Sequence, residues 1–330
     1  MTALEPFFFA EFLGTATWLW LVFVSIVLGL LIFDLGGLHR EHREIGVRES
    51  LLLSAGYIAA GLLFGHWVWQ VKGGDAGMDF YTGFLIEKSL SMDNVFLMAM
   101  IFSFLSIPRK YQHEVLFWGI LGVIVLRAIM IGLGAALIAE FSWILYVFGI
   151  FLLLTGVKML FSKIDANPDL SENLLVKFLR KHMRVTDRLH EGHFFVRQTD
   201  AKGKSVVWAT PLFLALVLIE CADLVFAVDS VPAIFAITQD PFIVYTSNIF
   251  AILGLRALYF ALAAMIHRFA YLKYALALVL VFIGGKIFMV GIIGKIPAVL
   301  SLSVTVTLLL GGVLLSLWKT RGKNSAGPQV

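Results

Sequence analysis

Five acidic side chains interrupt two long apolar runs of this sequence, residues 80–105 and 209–234. The acids, with one neighbouring amide, are Glu87, Asp93, Asn94, Glu220, Asp223 and Asp229. An ionised carboxylate near the centre of an apolar span costs about 2.5–3.5 kcal/mol, so five left unpaired would cost on the order of 10 kcal/mol. We therefore expect these side chains to face a water-filled cavity, to pair with cations or to be protonated.

The ligand chemistry of these residues favours hard divalent cations. Carboxylate and amide oxygens suit Mn²⁺, Mg²⁺ or Ca²⁺, and oxygen ligands alone do not separate manganese from calcium. The one cysteine, Cys221, excludes an internal disulfide and a multi-cysteine metal cluster. It adjoins Glu220 and is interpreted as a small packing residue, with a thiolate ligand as the alternative. His66 is the clearest histidine within an apolar run, so the sequence disfavours zinc and copper(I).

Helical geometry limits which of these side chains can converge. Glu220 and Asp223 are three residues apart and share a helix face. Glu87 and Asp93 are six residues apart, a step that turns a straight helix by about 240°. Asp223 and Asp229 repeat the same step. We therefore expect both helices to be discontinuous, with freed backbone carbonyls near the site. The nearest helix-breaking residues are Gly83 and Pro232.

Basic residues within apolar runs supply candidate counter-charges. Arg127 and Arg256 lie near the middle of their runs and are expected to neutralise carboxylates when no metal is bound. Lys158 and Lys286 lie nearer the ends of theirs and are expected to extend toward the membrane surface. The neutral side chains expected to add oxygens to the site, or to join helices by hydrogen bonds, are Ser91, Ser230 and Asn248.

The elements that carry these residues are long apolar segments. Hydrophobic residues make up 60% of the 330 residues and charged residues 15%, a composition that excludes an ordinary soluble enzyme. A helix of about 20 apolar residues can cross a membrane. We predict an all-α polytopic membrane protein with about nine transmembrane helices, with the lipid bilayer and no nucleic acid as its surroundings. The predicted spans are 16–34, 50–70, 80–105, 115–139, 142–161, 209–234, 244–267, 271–293 and 298–318.

The distribution of Lys and Arg predicts the orientation. Nineteen of the 26 basic residues lie in loops or the tail on one side of the predicted membrane, and two, Lys72 and Lys295, lie on the other. Because cytoplasmic loops are enriched in Lys and Arg, we expect the N-terminus outside and the C-terminus in the cytoplasm. No basic residue precedes the first span, so we do not interpret it as a signal peptide.

Short matches at nearly constant spacing indicate an internal repeat. The sequence DNVF at 93–96 matches DLVF at 223–226, an arginine follows each Asp by 34 or 33 residues, and a lysine follows 31 or 30 residues later. Three spans in each copy would make the second copy inverted, as in many secondary transporters, with a duplication kept only for packing as the alternative. The predicted divisions are 1–79, an outside segment and two spans; 80–161, the first repeat; 162–208, a basic cytoplasmic loop; 209–293, the second repeat; and 294–330, the last span and a cytoplasmic tail.

The segment 162–208 is the one sizeable predicted loop, and it carries nine Lys or Arg residues. Apolar residues at roughly helical spacing predict an amphipathic helix over 171–190 on the inner membrane surface. Residues 193–211 alternate in polarity around the turn sequence DAKG and predict a small hairpin. We interpret the loop as a basic connector at the membrane surface, with a regulatory or partner-docking role as the alternative.

The two acidic segments resemble the motifs of a known family. LIEKSLSMDNVF at 85–96 and IECADLVFAVDSVPAIFAIT at 219–238 are similar to the two acidic motifs of the TerC family of integral membrane proteins, and the likeness covers most of residues 40–295. The sequence looks most similar to the Alx-type bacterial branch. The resemblance implies export of manganese across the bacterial inner membrane, and some members are associated with tellurite resistance or metal supply to secreted proteins. The metal-site positions that it implies are Glu87, Asp93, Asn94, Glu220, Asp223, Asp229 and Ser230.

These observations predict a secondary transporter that exports Mn²⁺ through a midplane carboxylate site, with Mn²⁺ as the transported ion and no prosthetic group. No phosphate-binding loop of the form G-x-x-x-x-G-K-S/T occurs, so ATP is not expected to be the direct energy source. Coupling to protons is a further expectation, because carboxylates gathered in a low-dielectric interior bind protons more readily than in water. Calcium or another divalent cation is the alternative cargo.

Two rival functions come from other classes. A membrane scaffold or assembly factor would act through the 162–208 loop and would not require acidic residues at the midplane. An intramembrane aspartyl protease would use Asp93 and Asp223 as its dyad. That assignment would leave Glu87, Glu220 and Asp229 unexplained, and the Gly-x-Gly-Asp pattern is absent, so we do not expect an enzyme. The oligomeric state is left open.

Overall fold

Helices make up most of the described chain. The computed structural model describes residues 10–38, 46–141, 143–161, 184–186, 189–190, 192–199, 205–262, 271–293 and 296–323. Two short hairpins accompany the helices: β1 (Glu11–Phe12) pairs with β2 (Thr15–Ala16), and β3 (Phe195–Thr199) pairs with β4 (Ser205–Ala209). The ten helices within these ranges are α1 (Thr17–Leu38), α2 (Val47–Lys72), α3 (Gly74–Phe104), α4 (Arg109–Glu140), α5 (Ile144–Phe161), α6 (Pro211–Phe235), α7 (Pro241–Leu253), α8 (Leu255–Leu262), α9 (Leu272–Ile293) and α10 (Ala298–Lys323).

Eight segments of the described chain are long and apolar enough to cross a membrane. Helix α3 has 31 residues and is also long enough, but its acidic and basic residues keep it out of that set. Eight of the nine predicted spans correspond to these apolar segments, and the third corresponds to α3. Helices α7 and α8 together form the seventh span. The predicted all-α polytopic membrane architecture is confirmed. The eight apolar segments are Thr17–Asp34, Arg48–Lys72, Arg109–Glu140, Ile144–Phe161, Pro211–Phe235, Pro241–Ala261, Leu272–Val290 and Ala298–Lys319.

The predicted breaks in the third and sixth spans are wrong. Helix α3 runs without interruption past Gly83, and α6 runs without interruption past Pro232. Pro232 lies in the last turn of α6, so the hydrogen bond that its missing N–H removes is near the end of the helix and does not interrupt it. The broken span is the seventh, in which α7 ends before Gly254 and α8 begins after it.

Helix α7 lies at the centre of the bundle. The segment Pro241–Ala261 is almost entirely buried, whereas each of the other apolar segments buries half of its residues or fewer. Helix α3 packs against α7 and α6, α4 packs against α6, and α5 packs against α9. The rings of Phe23, Phe64 and Phe250 contact one another and join α1 and α2 to α7. The interior is therefore enclosed by α3, α4, α6 and α7.

Helices α5 and α9 approach each other closely at small residues. A Cβ atom at Gly156 would lie 2.7 Å from the Ala277 carbonyl oxygen, and one at Gly284 would lie 2.8 Å from the Gly149 carbonyl oxygen. The two contacts are seven residues apart on each helix, so the helices run antiparallel and the contact is reciprocal. Two copies related by an inverted repeat would pack in this way. The repeat itself stays a prediction.

The predicted hairpin in the basic loop is confirmed. Strands β3 and β4 pair antiparallel with Phe195 opposite Ala209, and the Phe195 ring lies 4.5 Å from the Phe213 ring of α6. Most of the helix predicted over 171–190 lies outside the described residues. Within that segment, Val185 forms a parallel bridge with Ala209, so residues 184–186 extend the hairpin instead of continuing a helix.

Alanine substitutions at the neighbouring residues Gly284 and Gly285 should have opposite effects on stability. Gly284→Ala forces α5 and α9 apart and should lower the free energy of unfolding by about 1–3 kcal/mol. A Cβ atom at Gly285 meets nothing within 4 Å, so Gly285→Ala should leave stability unchanged or raise it by up to about 1 kcal/mol through helix propensity. Thermal unfolding of both variants in one detergent measures the difference. Equal stability of the two variants would contradict the close contact.

Candidate functional site

The centre of the interior is Arg127, a completely buried side chain on α4. It follows Val123 and precedes Ile131 at helical spacing, so it belongs to the inward-facing stripe of its helix. A buried guanidinium is tolerated only where acceptors surround it, since its charge cannot be removed by deprotonation. Its surroundings therefore show which helices must meet at this point.

Two carboxylates surround the Arg127 guanidinium. Asp223 on α6 receives two parallel bonds, from Nε to Oδ2 at 3.1 Å and from Nη2 to Oδ1 at 3.1 Å. Glu87 on α3 lies 2.9 Å from Nη1 through its Oε1. Both carboxylates are almost fully buried, at 2% and 1% exposure. The planar fork of arginine matches this bidentate geometry, which a lysine would not reproduce.

Neutral side chains complete the cluster. Nη1 of the guanidinium also donates to Ser230 Oγ at 2.7 Å and to Asn248 Oδ1 at 3.3 Å. Asn248, on α7, donates through Nδ2 to Glu87 Oε2 at 3.0 Å. Asn94 donates through Nδ2 to Asp223 Oδ1 at 3.0 Å. Four helices are therefore joined by one hydrogen-bond network, which we call the Arg127 cluster: Glu87, Asn94, Arg127, Asp223, Ser230 and Asn248.

Seven-residue spacing explains why straight helices can build this cluster. Glu87 and Asn94 are seven residues apart on α3, and Asp223 and Ser230 are seven apart on α6. Seven residues are nearly two helical turns, so each pair lies on one face. The expectation of broken helices came from pairs six residues apart; of these, Asp229 is hydrogen-bonded to Thr155 and not to the cluster, and the side chain of Asp93 lies outside the described residues.

Some buried oxygens at the site lack partners. Both carboxylate oxygens of Glu220, Oδ1 of Asn94 and Oγ of Ser91 are buried without a hydrogen-bond partner among the described residues. The Glu220 carboxylate lies against Gly122 on α4, where any Cβ atom would overlap it. A cavity of about 10 Å³, room for about one water-sized particle, is lined in part by Asn94 and Asp223. Unmet acceptors and a small cavity thus lie on one side of the Arg127 cluster.

The charges of this interior do not balance. Glu87, Asp223 and Glu220 carry three negative charges when ionised, against the single positive charge of Arg127. An unpaired carboxylate inside a low-dielectric interior costs several kcal/mol. The arrangement therefore favours binding of a cation beside Glu220, or of a proton when no cation is present.

Other predicted site residues lie elsewhere. Asp229 receives a hydrogen bond of 3.5 Å from Thr155 on α5 and does not contact the Arg127 cluster. Asp93 lies on α3, and its side chain is outside the described residues. Lys158 is exposed, consistent with its expected extension to the surface, whereas Lys286 is buried at 6% exposure. Cys221 is a free, partly buried cysteine.

Arg256 has a partner that sequence reasoning missed. It was expected to neutralise carboxylates of the acidic motifs, but its Nη2 pairs with Asp34 on α1. Asp34 is 5% exposed, and the Tyr57 side chain lies beside it. The sequence signal for this ion pair was Asp34 itself, a carboxylate at the end of the first apolar run.

Lys88 occupies the break in the seventh span. Its Nζ donates to the Ala251 carbonyl at 3.1 Å, one of the last carbonyls of α7, and would lie 3.0 Å from a Cβ atom at Gly254. A cation at a helix C-terminus is stabilised by the helix dipole. Because Glu87 binds Asn248 on the same helix, the neighbouring residues Glu87 and Lys88 hold α7 at two successive turns.

The donor set can be compared with the needs of a metal ion. Among the side chains that the structure describes, no three His, Cys, Asp or Glu residues are close enough to form a ready metal site. The available donors are Glu220, Asp223 and the amide oxygen of Asn94. These hard oxygen donors suit Mn²⁺, Mg²⁺ or Ca²⁺, with water completing the coordination.

The fold and this interior define a polytopic helical membrane protein with a charged network buried between its helices. The family model described as "Integral membrane protein TerC family" matches residues 72–324, which is most of the chain. The chain therefore belongs to the TerC family.

Curated relatives are similar along nearly their whole length. An uncharacterized membrane protein of Rickettsia bellii is 49% identical over 297 residues, which cover 90% of this chain and 96% of the relative. A protein of Escherichia coli K12 named "Putative membrane-bound redox modulator Alx" is 45% identical over 310 residues, which cover 91% of this chain and 94% of the relative. No solved structure matches the chain.

Removing the guanidinium should destabilise the protein strongly. Arg127→Met leaves Glu87 and Asp223 buried without their cation, which should lower the free energy of unfolding by about 3–5 kcal/mol. Arg127→Lys should also destabilise, because one ammonium cannot reproduce the bidentate contact. Adding Glu87→Gln and Asp223→Asn to Arg127→Met should recover part of the loss, since the uncompensated charges are then gone. Chemical unfolding in detergent measures all three; a triple variant no more stable than Arg127→Met would count against the charge pairing.

Proposed function

We propose that this protein is a secondary transporter that moves Mn²⁺ out of the cytoplasm. The observation that carries the proposal is the Glu220 carboxylate, which is buried without a hydrogen-bond partner among the described side chains and lies beside a cluster that already holds two carboxylates and one cation. A carboxylate in that position is costly unless a cation occupies its surroundings for part of the working cycle.

The cargo would bind between α3 and α6. Glu220 and Asn94 Oδ1 offer acceptors without partners among the described residues, and Asp223, which accepts a hydrogen bond from Asn94, lies three residues after Glu220 on α6. Asp93, the neighbour of Asn94, is retained as a proposed ligand on the strength of its motif. Carboxylate and amide oxygens bind Mn²⁺ and Ca²⁺ alike, and the motif resemblance is what favours manganese.

Arg127 would keep the site stable when it holds no ion. It neutralises one of the two carboxylates that it contacts, and the hydrogen bonds from Asn94 and Asn248 orient both. An arriving cation would compete with the guanidinium for Asp223, so binding would loosen the link between α4 and α6. That coupling of occupancy to helix packing is what a carrier requires to change access.

Transport by alternating access would use the two proposed three-helix repeats. Helices α3 and α6 would be equivalent elements of the two repeats, and they contact each other at the site. Rocking of one repeat against the other would expose the site first to the cytoplasm and then to the outside. We propose that the protein resides in the inner membrane of a bacterium with its N-terminus outside, and that protons drive the exchange.

Flux of Mn²⁺ into or out of proteoliposomes tests this function. Wild-type protein should transport Mn²⁺, and Asp223→Asn should reduce the rate at least tenfold, because it removes a proposed carboxylate ligand and the bidentate contact with Arg127. Excess Ca²⁺ should leave wild-type flux largely intact. Transport that does not respond to an imposed pH gradient would remove the proton coupling alone.

Asp240→Asn supplies the matched control. Asp240 pairs with Lys72 at 2.5 Å, is not a member of the Arg127 cluster, and an asparagine there still caps α7. Its flux should equal that of the wild type. Absence of flux from well-folded wild-type protein at every pH gradient would contradict the transport proposal and favour a scaffold acting through the basic loop.

A further inference from the structure

A second buried arginine is not used by the Arg127 cluster. Arg256 is 3% exposed, and its pairing with Asp34 uses Nη2. Its Nη1 is buried and has no hydrogen-bond partner in the described part of the chain. A buried donor left unsatisfied is destabilising, and more so when it is charged. Arg256 therefore has bonding capacity that this conformation does not use.

Glu220 has the opposite deficit. Both of its carboxylate oxygens are buried, and neither meets a donor within the described ranges. Its Oε1 lies 3.8 Å from the position of a Cβ atom at Gly119, and its carboxylate presses against Gly122. Gly119 and Gly122 of α4 thus lie against the Glu220 carboxylate, which has no hydrogen-bond donor among the described residues.

Two small cavities are lined by residues next to Arg256 and Glu220, including Arg256 itself. One, of about 10 Å³, is lined in part by Asn94 and Asp223. The other, also of about 10 Å³, is lined in part by Gly119 and Arg256. Gly119 therefore touches both the Arg256 cavity and the Glu220 carboxylate. The side chains shared by the walls of both cavities are Met98 and Ile219.

The position of Arg256 in the fold allows it to move. It lies in the first turn of α8, directly after the helix break at Gly254. By spacing it is the repeat counterpart of Arg127, which is already paired with motif carboxylates. In carriers built from inverted repeats, the two access states exchange the conformations of the two halves. An exchanged state would bring Arg256, as Arg127 is here, beside carboxylates of the acidic motifs.

We propose that Arg256 is a movable counter-ion, paired with Asp34 in the conformation described and with Glu220 in the alternate conformation. Its role in releasing cargo rests on the proposed transport function, whereas the exchange of partners does not. In the alternate conformation the guanidinium neutralises Glu220 after the metal ion has left. Asp34 then acts as the holding partner that keeps Arg256 away while the ion is bound.

Unfolding temperatures of metal-free protein test the exchange. In the wild-type background, Glu220→Gln should raise the unfolding temperature by about 2 °C, since it replaces an unpartnered buried carboxyl group that must either stay charged or take up a proton at an energetic cost. In an Asp34→Asn background, Arg256 pairs with Glu220, so Glu220→Gln should lower the temperature by about 2 °C. In the Asp240→Asn background, which breaks an ion pair that does not involve Arg256, Glu220→Gln should again raise the unfolding temperature, as in the wild type. The same sign in the wild-type and Asp34→Asn backgrounds overturns the proposal.

Two additions keep the result interpretable. If Asp34→Asn does not yield folded protein, Tyr57→Phe is the milder replacement, because it weakens the positioning of Asp34. In the Tyr57→Phe background, Glu220→Gln should raise the unfolding temperature by less than it does in the wild type. An equal rise in both backgrounds overturns the proposal. Mn²⁺ added to each protein tests the proposed function separately. If Glu220→Gln has opposite effects in the wild-type and Asp34→Asn backgrounds but Mn²⁺ does not stabilise the wild type, the result would support the partner exchange and count against the manganese site.

Discussion

Arg127 is completely buried, and a buried guanidinium must meet acceptors on every side because it cannot shed its charge. Those acceptors come from α3, α6 and α7, so one side chain of α4 determines how four helices pack. Apolar packing alone gives helices in a membrane little preference for one partner over another. The guanidinium supplies that preference, since any other arrangement leaves two carboxylates and a cation unpaired.

The packing around this network serves the same arrangement. Gly122 leaves room for the Glu220 carboxylate, which no larger residue on α4 would admit. Lys88 fills the break after α7 and fixes the end of the helix that carries Asn248. The close approach of α5 and α9 at glycine holds the outer parts of the two proposed repeats together. Closely packed outer helices thus surround a cluster in which carboxylates outnumber cations, an arrangement consistent with a site that exchanges one cation for another.

Much of this arrangement could be predicted from the sequence, because charged residues in apolar runs are costly and therefore informative. The pairing of Arg127 with motif carboxylates follows from that cost, whereas the helices follow from the apolar runs and the hairpin at 193–211 from alternating polarity around a turn sequence. The breaks in α3 and α6 were wrongly predicted because acids six residues apart were assumed to converge, whereas the residues that meet are seven apart. Asp34 was overlooked because its partner, Arg256, lies 222 residues away in sequence. Only tertiary contact reveals such a pair.

The most direct test of the account is the position of Mn²⁺ in a crystal of the protein, located by anomalous scattering at the manganese absorption edge. The account predicts one strong peak between α3 and α6, within coordination distance of Glu220 and the Asn94 amide oxygen, and its loss in Glu220→Gln. Because Arg127 and Asp223 should remain in place in that variant, the loss would report ligand removal and not unfolding. Peaks confined to the protein surface, with none between α3 and α6, would contradict it.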